Sequence, residues 1–414
     1  MRSNFTESAG LNFDPVPLEP YRSAEYFALE RDQIFARSWL IMGRIEDVPN
    51  VGDFIVKEVE ICSASVLITH GNNDKIRAFH NVCSHRGNQV VWEEKGTRTT
   101  RFRCRYHNWT YGGDGRLLAV SDEESFVGLD KAKCGLETIQ CDIWDGWIFI
   151  NLNPDNTVSL ADYLGDMGKF LGGLPYPSAH RSVKVQGIVD CNWKIVTDAF
   201  SEAYHIPVLH SRTIGPGYSS PSEPAAHLQN AEFFGPHHSI SLYGNPDYQP
   251  EEAQLIERLA YSGMATEGVL GANQSGEAAD LRAHPSVNPA KSNTWSMDIN
   301  EIFPNFHLDI AGAGFWTHEI WPLSVDQTRY ELRFFVPEPK NIREAFLQEH
   351  TISRLADTVL EDIANVERTQ KGIVSRAKDF MILQDNEVLI RRQIRNVDAF
   401  NDAPTLEDAL RECA

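Results

Sequence analysis

Between residues 50 and 151 the chain alternates apolar and polar positions in short runs. Phe54-Ile55-Val56, Ser65-Val66-Leu67-Ile68, Ile76 to Val82 and Ile143 to Asn151 read as strands. Pro49-Asn50-Val51-Gly52 and Gly112-Gly113-Asp114-Gly115 read as the turns that separate such strands. Ahead of them, Tyr21 through Leu40 carries Tyr26, Phe27, Leu29, Ile34 and Phe35 and predicts a helix. Ser182 to Val189 predicts a strand that opens a second region. Strands return from Trp295 as Ile302 to Leu308, Phe315 to Trp321 and Arg329 to Phe335. Leu355, Val359, Ile363 and Val366 then recur at helical spacing. Residues 211–290 are rich in Gly, Ser, Pro and Ala and show little period. They predict a long loop region, a lid or a partly disordered segment, with a short helix at Glu251–Leu259. The pattern as a whole predicts an α+β chain. A small β-sandwich spans 41–155, and a domain of antiparallel sheet packed against helices spans 156–414. A helical segment over 1–40 packs on that second domain.

Two ligand-type clusters interrupt the strands of the first region: Cys83-Ser84-His85 and Cys104-Arg105-Tyr106-His107. Two thiolates and two imidazoles on paired loops suit a [2Fe–2S] centre with the cysteines on one iron and the histidines on the other. Neutral imidazoles lower the negative charge of such a centre and raise its potential above that of an all-cysteine cluster. Zinc takes the same donor set. Its modules mostly pair C-x₂₋₄-C with H-x₃₋₅-H, however, whereas each loop here supplies one Cys and one His. A structural zinc site predicts a colourless binding module; the iron–sulfur reading predicts one-electron chemistry.

A second cluster runs Asn192-Trp193-Lys194, Asp198, Glu202, Tyr204-His205 and His210. Two imidazoles and one carboxylate on one face of Fe(II) leave the opposite face open for dioxygen and substrate. His205 and His210 are the candidate imidazoles. Five residues advance an α-helix by about 500°, which puts these two side chains roughly 140° apart on a regular helix. A helix over 193–204, broken near Pro207, would swing His210 back toward the metal. The third ligand must come from far downstream. Asp362 lies beside the apolar stripe of the last long helix, with Glu361 and Asp357 as competing acids and a solvated helix face as the plain alternative. An electron carrier would have the first cluster and lack the second.

Both stretches resemble the large subunits of Rieske non-haem iron oxygenases. In the first, the resemblance rests on the C-x-H and C-x-x-H pairs, on Arg86-Gly87, and on the Tyr-His-x-Trp run at Tyr106 to Trp109. Arg105 and Asn108 depart from residues that are often Pro and Gly, and Arg105 could place a positive charge beside the cluster. In the second, it rests on N-W-K, E-x-Y-H, a second His five residues on, and E-D-x-x-x-x-E-x-x-Q from Glu361 to Gln370. Ala199 departs from a frequent Asn. The resemblance implies a Rieske [2Fe–2S] cluster on Cys83, His85, Cys104 and His107. It also implies mononuclear non-haem Fe(II) on His205, His210 and Asp362. Glu202 would bridge His107 of a neighbouring subunit to His205, which implies a homotrimer, or α3β3 where a β subunit exists. The implied activity is O₂-dependent hydroxylation or dihydroxylation of an apolar, aromatic substrate. The alternative is monooxygenation or oxidative demethylation of another substrate, such as a quaternary amine.

Composition narrows the partners. The chain has 414 residues, 42% hydrophobic and 23% charged, which is ordinary for a globular protein. Its net charge of −20 argues against nucleic acid and anionic membrane as partners. No apolar run approaches the ~20 residues that span a bilayer, and the start has no signal-peptide character. Seven cysteines are present; Cys62, Cys134, Cys141, Cys191 and Cys413 are scattered and read as reduced thiols of a cytoplasmic protein. No G-x-G-x-x-G opens a helix after a strand, so a separate NAD(P)H-linked reductase, with or without a ferredoxin, is expected to supply electrons. Phe200, Phe303, Asn305, His307 and Trp316 are candidate pocket residues, with ordinary sheet packing as the competing reading.

Overall fold

Alternating segments pair into antiparallel sheets in the computed structural model, which describes residues 4–175, 180–267, 281–311 and 314–414. The chain divides into two compact units, Leu29–Tyr163 and Met1–Ala28 with Leu164–Ala414. The pattern had put these divisions at 40 and 155.

The unit Leu29–Tyr163 is built on β1 (Trp39–Arg44), β2 (Phe54–Val59), β3 (Ala64–Gly71), β4 (Lys75–His80), β5 (Lys95–Gly96), β6 (Arg101–Arg103), β7 (Thr110–Gly112), β8 (Leu117–Ala119), β9 (Thr138–Trp144) and β10 (Trp147–Asn151). One sheet has the order β1-β10-β9-β4-β3-β2-β5, and the small second sheet is β6-β7-β8. Leu67 pairs with Phe79 across β3 and β4. Both join Cys83, Phe102, Cys104, Trp109, Tyr111 and Leu117 in one buried cluster. The metal-type loops are therefore anchored in the core of this unit, not appended to its surface. Ahead of β1, the expected helix over 21–40 is shorter. It runs Ala24–Glu30, widens into a single π-turn at Arg31–Phe35, and the chain is already a strand at Trp39.

In the other unit, β11 (His180–Val189), β12 (Asn230–Phe234), β13 (His237–Tyr243), β14 (Trp295–Ile302), β15 (Phe306–Ala311), β16 (Gly314–Ser324) and β17 (Gln327–Pro337) form a sheet of order β11-β17-β16-β15-β14-β13-β12. Helices α1 (Trp193–Phe200), α2 (Ile206–Leu209), α3 (Leu255–Glu267), α4 (Ile342–Val374) and α5 (Val388–Asp402) accompany it. The N-terminal stretch is tied to this unit. The backbone N–H groups of Phe5 and Thr6 donate to Asp385, and Val16–Pro17 pairs with Phe380–Met381.

Three expectations are corrected. Residues 211–290 contain β12 and β13, and the helix within them starts at Leu255, not Glu251; positions 268–280 lie outside the described residues. The sequence of β13, His237-His238-Ser239-Ile240-Ser241-Leu242-Tyr243, is buried at every position. Polar side chains sit on both of its faces, some with partners inside the protein, such as Ser241 Oγ donating to Asp298 at 2.6 Å. A hydrophobic pattern cannot reveal such a strand. The expected strand Ile302–Leu308 is instead the end of β14, a turn and the start of β15, because Pro304 has no N–H for the ladder. The expected helix over 193–204 stops at Phe200, where Ser201 Oγ bonds back to Thr197 O at 2.8 Å.

Candidate metal centres

Two loops of the same construction present the first set of donors. The Cys83 N–H bonds to Asn88 O, and Cys83 O accepts from Gly87 N–H. The Cys104 N–H likewise bonds to Trp109 O, and Cys104 O accepts from Asn108 N–H. The fifth residue of each loop must turn left-handed, with φ of 74° at Gly87 and 60° at Asn108. Asn is one of the few side chains that tolerate this region, which explains why it can stand where Gly is common.

These loops bring all four expected donors together. Cys83 and Cys104 are buried and not disulfide-bonded. His85 Nδ1 lies 3.1 Å from His107 Nδ1. Trp109 stacks on His85 at 5.1 Å and fixes its ring. The Tyr111 hydroxyl accepts Ser84 N–H at 3.0 Å and lies 3.2 Å from Cys83 Sγ, where it can donate to a thiolate. Asn88 Nδ2 approaches Cys104 Sγ at 3.7 Å. Burial raises the Cys83 thiol above its ordinary range in the metal-free protein. Two sulfurs with nearby donors and two nitrogens that converge on one point fit a [2Fe–2S] cluster. The histidines are partly exposed while the cysteines are buried, so the imidazole edge is the one that reaches solvent. Arg105 is exposed, ion-paired with Glu93 and stacked at 4.9 Å on Trp92. The positive charge that Arg105 could place beside the cluster is thus paired with the Glu93 carboxylate. Burial pushes Cys62 and Cys141 up to about 12 and Cys413 to about 11, which fits an inert role for these three thiols.

The second set is assembled by docking between helices. Asn192 caps α1 by accepting Lys194 N–H at 3.1 Å, and its own N–H donates to Gln370 Oε1 at 2.8 Å. Gln370 and Asp362 belong to the same buried stripe of α4, with Val359, Val366 and Ile373. Asn192 and Gln370 thereby set the helix carrying Asp362 against the one that leads to His205. Pro207 does not break a helix here. It occupies the first turn of α2, where its missing N–H costs nothing. His205 and His210 cap the two ends of that single turn, so their rings can converge despite the angle expected on a regular helix. Gly215 seals the turn: its N–H donates to His210 O at 2.8 Å, and a Cβ there would lie 2.8 Å from that same oxygen.

The result is a three-donor cluster. His205 Nε2 lies 3.2 Å from His210 Nε2, and Asp362 Oδ1 lies 3.4 Å and 3.0 Å from those two nitrogens. It is the group of described residues whose ligand atoms all lie within 4.8 Å of one another. Asp362 is 4% exposed, and its Oδ1 has no hydrogen-bond partner among the described residues. A buried carboxylate oxygen left so, beside two imidazole nitrogens, fits a cation. The outer nitrogens are held by carboxylates: Glu202 Oε1 is 2.5 Å from His205 Nδ1, and Glu361 Oε2 is 2.7 Å from His210 Nδ1. Glu202 also accepts His205 N–H at 3.1 Å, although residues 201–204 are not helical as the spacing argument assumed. Burial opposes the charged form of His205, but Glu202 and Asp362 outweigh it and hold the metal-free imidazole above its ordinary range.

Sequence reasoning missed several of these groups. Glu361 entered only as a competitor for Asp362, and Thr213, which donates to it at 2.7 Å, not at all. Of the candidate pocket residues, Phe200 packs on His318 at 4.6 Å and Tyr330 at 5.5 Å. Phe303 packs on Phe400, and Asn305 is buried. His307 faces Glu301 at 3.4 Å, with His238 on the same carboxylate at 2.9 Å. Trp316 Nε1 lies 3.1 Å from His318 Nε2.

Comparison with known proteins adds to this geometry. Residues 173–402 match the ring hydroxylating alpha subunit (catalytic domain) family, and residues 38–134 the Rieske [2Fe-2S] domain. The chain is 34% identical over 197 residues to the glycine betaine monooxygenase oxygenase subunit of Pseudomonas aeruginosa, covering 47% of this chain and 44% of that one. It is 33% identical over 292 residues to the large oxygenase component of a Pseudomonas aeruginosa naphthalene 1,2-dioxygenase system, covering 67% and 59%. The chain thus spans about half the length of the curated relatives it matches. A solved naphthalene 1,2-dioxygenase from Rhodococcus sp. superposes with a TM-score of 0.73 at 21% identity over 96% of this chain and 94% of that one. A quaternary ammonium Rieske monooxygenase superposes with a TM-score of 0.71 at 16% identity over 95% and 97%. Both share its α+β fold of a Rieske domain and a catalytic domain.

Proposed function

Because the chain belongs to the ring-hydroxylating oxygenase α-subunit family, we propose that it is the terminal oxygenase of a Rieske non-haem iron system. The observation that carries this is the convergence of His205, His210 and a bare Asp362 Oδ1 on one point. Cys83, His85, Cys104 and His107 would hold the [2Fe–2S] cluster, and His205, His210 and Asp362 the Fe(II). When bound, the two centres supply one-electron transfer and O₂ activation. Glu202 and Glu361 accept the Nδ1–H of each imidazole, so both rings present a bare Nε2 to the metal. Glu202 also keeps acceptor capacity for a donor from a neighbouring subunit's cluster histidine, His107, in a homotrimer or an α3β3 assembly. Electrons come from a separate reductase, with or without a ferredoxin, and the protein works in the cytoplasm without nucleic acid or membrane.

Substrate oxygenation takes one of two forms. Hydroxylation of an apolar aromatic ring is supported by the likeness to the naphthalene system. Monooxygenation or demethylation of an amine is supported by the likeness to glycine betaine and carnitine monooxygenases. Metal analysis with EPR of the dithionite-reduced protein tests the assignment. About three irons per chain and a rhombic signal of low average g are expected. Zinc without a signal would overturn it.

A further inference from the structure

The sheet on which helix α1 packs carries a buried acid that the oxygenase reading does not use. Asp309 on β15 is 3% exposed. Its Oδ2 lies 3.0 Å from His318 Nε2 on β16, and the other ring nitrogen, Nδ1, lies 2.5 Å from the Tyr330 hydroxyl on β17. Its Oδ1 has no hydrogen-bond partner among the described residues. Asp309 pairs directly with Trp316 across the strands, and Trp316 shares a face with His318 two residues on. Phe200, the last residue of the helix leading to His205, covers His318 and Tyr330. The charges of both Asp362 and Asp309 add to burial in raising the Tyr330 hydroxyl well above its ordinary range. Tyr330 therefore lies within electrostatic reach of both acids, and helix α1, which ends five residues before His205, packs both on α4, which carries Asp362, and on β16, which carries His318.

A purely apolar substrate gives such a carboxylate nothing: leaving one of its oxygens desolvated and unpartnered costs free energy. A cation framed by aromatic faces offsets that cost twice, through the carboxylate and through the ring quadrupoles. We propose that Asp309 is the substrate anchor of this oxygenase and that the substrate carries a cationic nitrogen, a protonated tertiary or a quaternary ammonium group. Phe200, Trp316 and Tyr330 form the aromatic surround, and His318 flanks the other carboxylate oxygen. This rests on the oxygenase reading and chooses its amine branch over the neutral aromatic one.

Direct binding to the metal-loaded wild-type protein tests this without turnover. Benzyltrimethylammonium and its uncharged carbon isostere, neopentylbenzene, are compared by calorimetry and tryptophan fluorescence. The cation is expected to bind at least about tenfold more tightly. The near-isosteric Asp309→Asn should erase that preference while keeping iron content and the Rieske EPR signal. Equal binding of the two probes by wild type, or no saturation by the cation up to about 10 mM, overturns the proposal. So does an unchanged preference in Asp309→Asn, which would make Asp309 only a partner of His318. A protein that lacks the iron signatures refutes the oxygenase reading. One that has them but ignores charge refutes only the cationic substrate.

Discussion

The two candidate metal centres are built by opposite strategies. The first takes all its donors from residues 83–107, on two loops with the same hydrogen-bond pattern and the same left-handed turn. The second draws on residues 205 to 362 and depends on a polar clasp, Asn192 to Gln370, to set one helix against another. A local site tolerates distant change, since its backbone geometry is closed within each loop. A long-range site is exposed to any change that shifts the packing of α1 or α4. The second centre also needs two carboxylates to orient its histidines, whereas in the first, ring stacking on Trp109 orients His85.

The contrast can be broken from either side. Asp362→Ala should remove the mononuclear iron and depress turnover by at least about a hundredfold, leaving the Rieske EPR signal intact. Iron retained at the full wild-type content of about three per chain, with turnover, would take Asp362 out of the site. Glu361→Gln should weaken iron retention by about 10–100-fold in a chelator titration, because His210 loses the acceptor that fixes its tautomer. Asn108→Val should do the reverse of Asp362→Ala. It forces a β-branched residue into a left-handed turn at a cost of about 1–3 kcal/mol and should lower cluster content while sparing the mononuclear iron. Asn108→Gly should keep the cluster fully loaded. The smallest effect is that of pH. His205 is held above its ordinary range in the metal-free protein, and binding must displace that proton. Iron affinity is therefore full above this raised value and falls by up to about tenfold per unit as pH drops below it, measurable by iron release against pH.

The legibility of each region follows from the same contrast. The two Cys–His loops could be read from two short motifs, and the long C-terminal helix from its apolar spacing. His205 and His210 could be named, but the reason their rings meet could not. On a regular helix the five-residue spacing would need a kink, whereas the chain places the two histidines at the two ends of one helical turn. Glu361 was visible only as a rival to Asp362, since adjacent acids on a helix differ solely in the direction their side chains take. Asp309, His318, Glu301 and His238 gave no signal, because they are polar residues in strands buried on both faces and no period marks them.

The linear sequence by itself determined the α+β class, the paired Cys–His loops, the two histidines of the second cluster and the helix that carries Asp362. These depend on neighbours within a few residues, where spacing, turn residues and periodicity act directly. Only the tertiary structure decided which acid meets the two imidazoles, which acids hold their outer nitrogens, and which polar residues pair across the sheet. Those choices are made by strand register and helix docking across more than a hundred residues. At that range a side chain's partner is set by the packing of whole elements, and no local pattern of residues carries it.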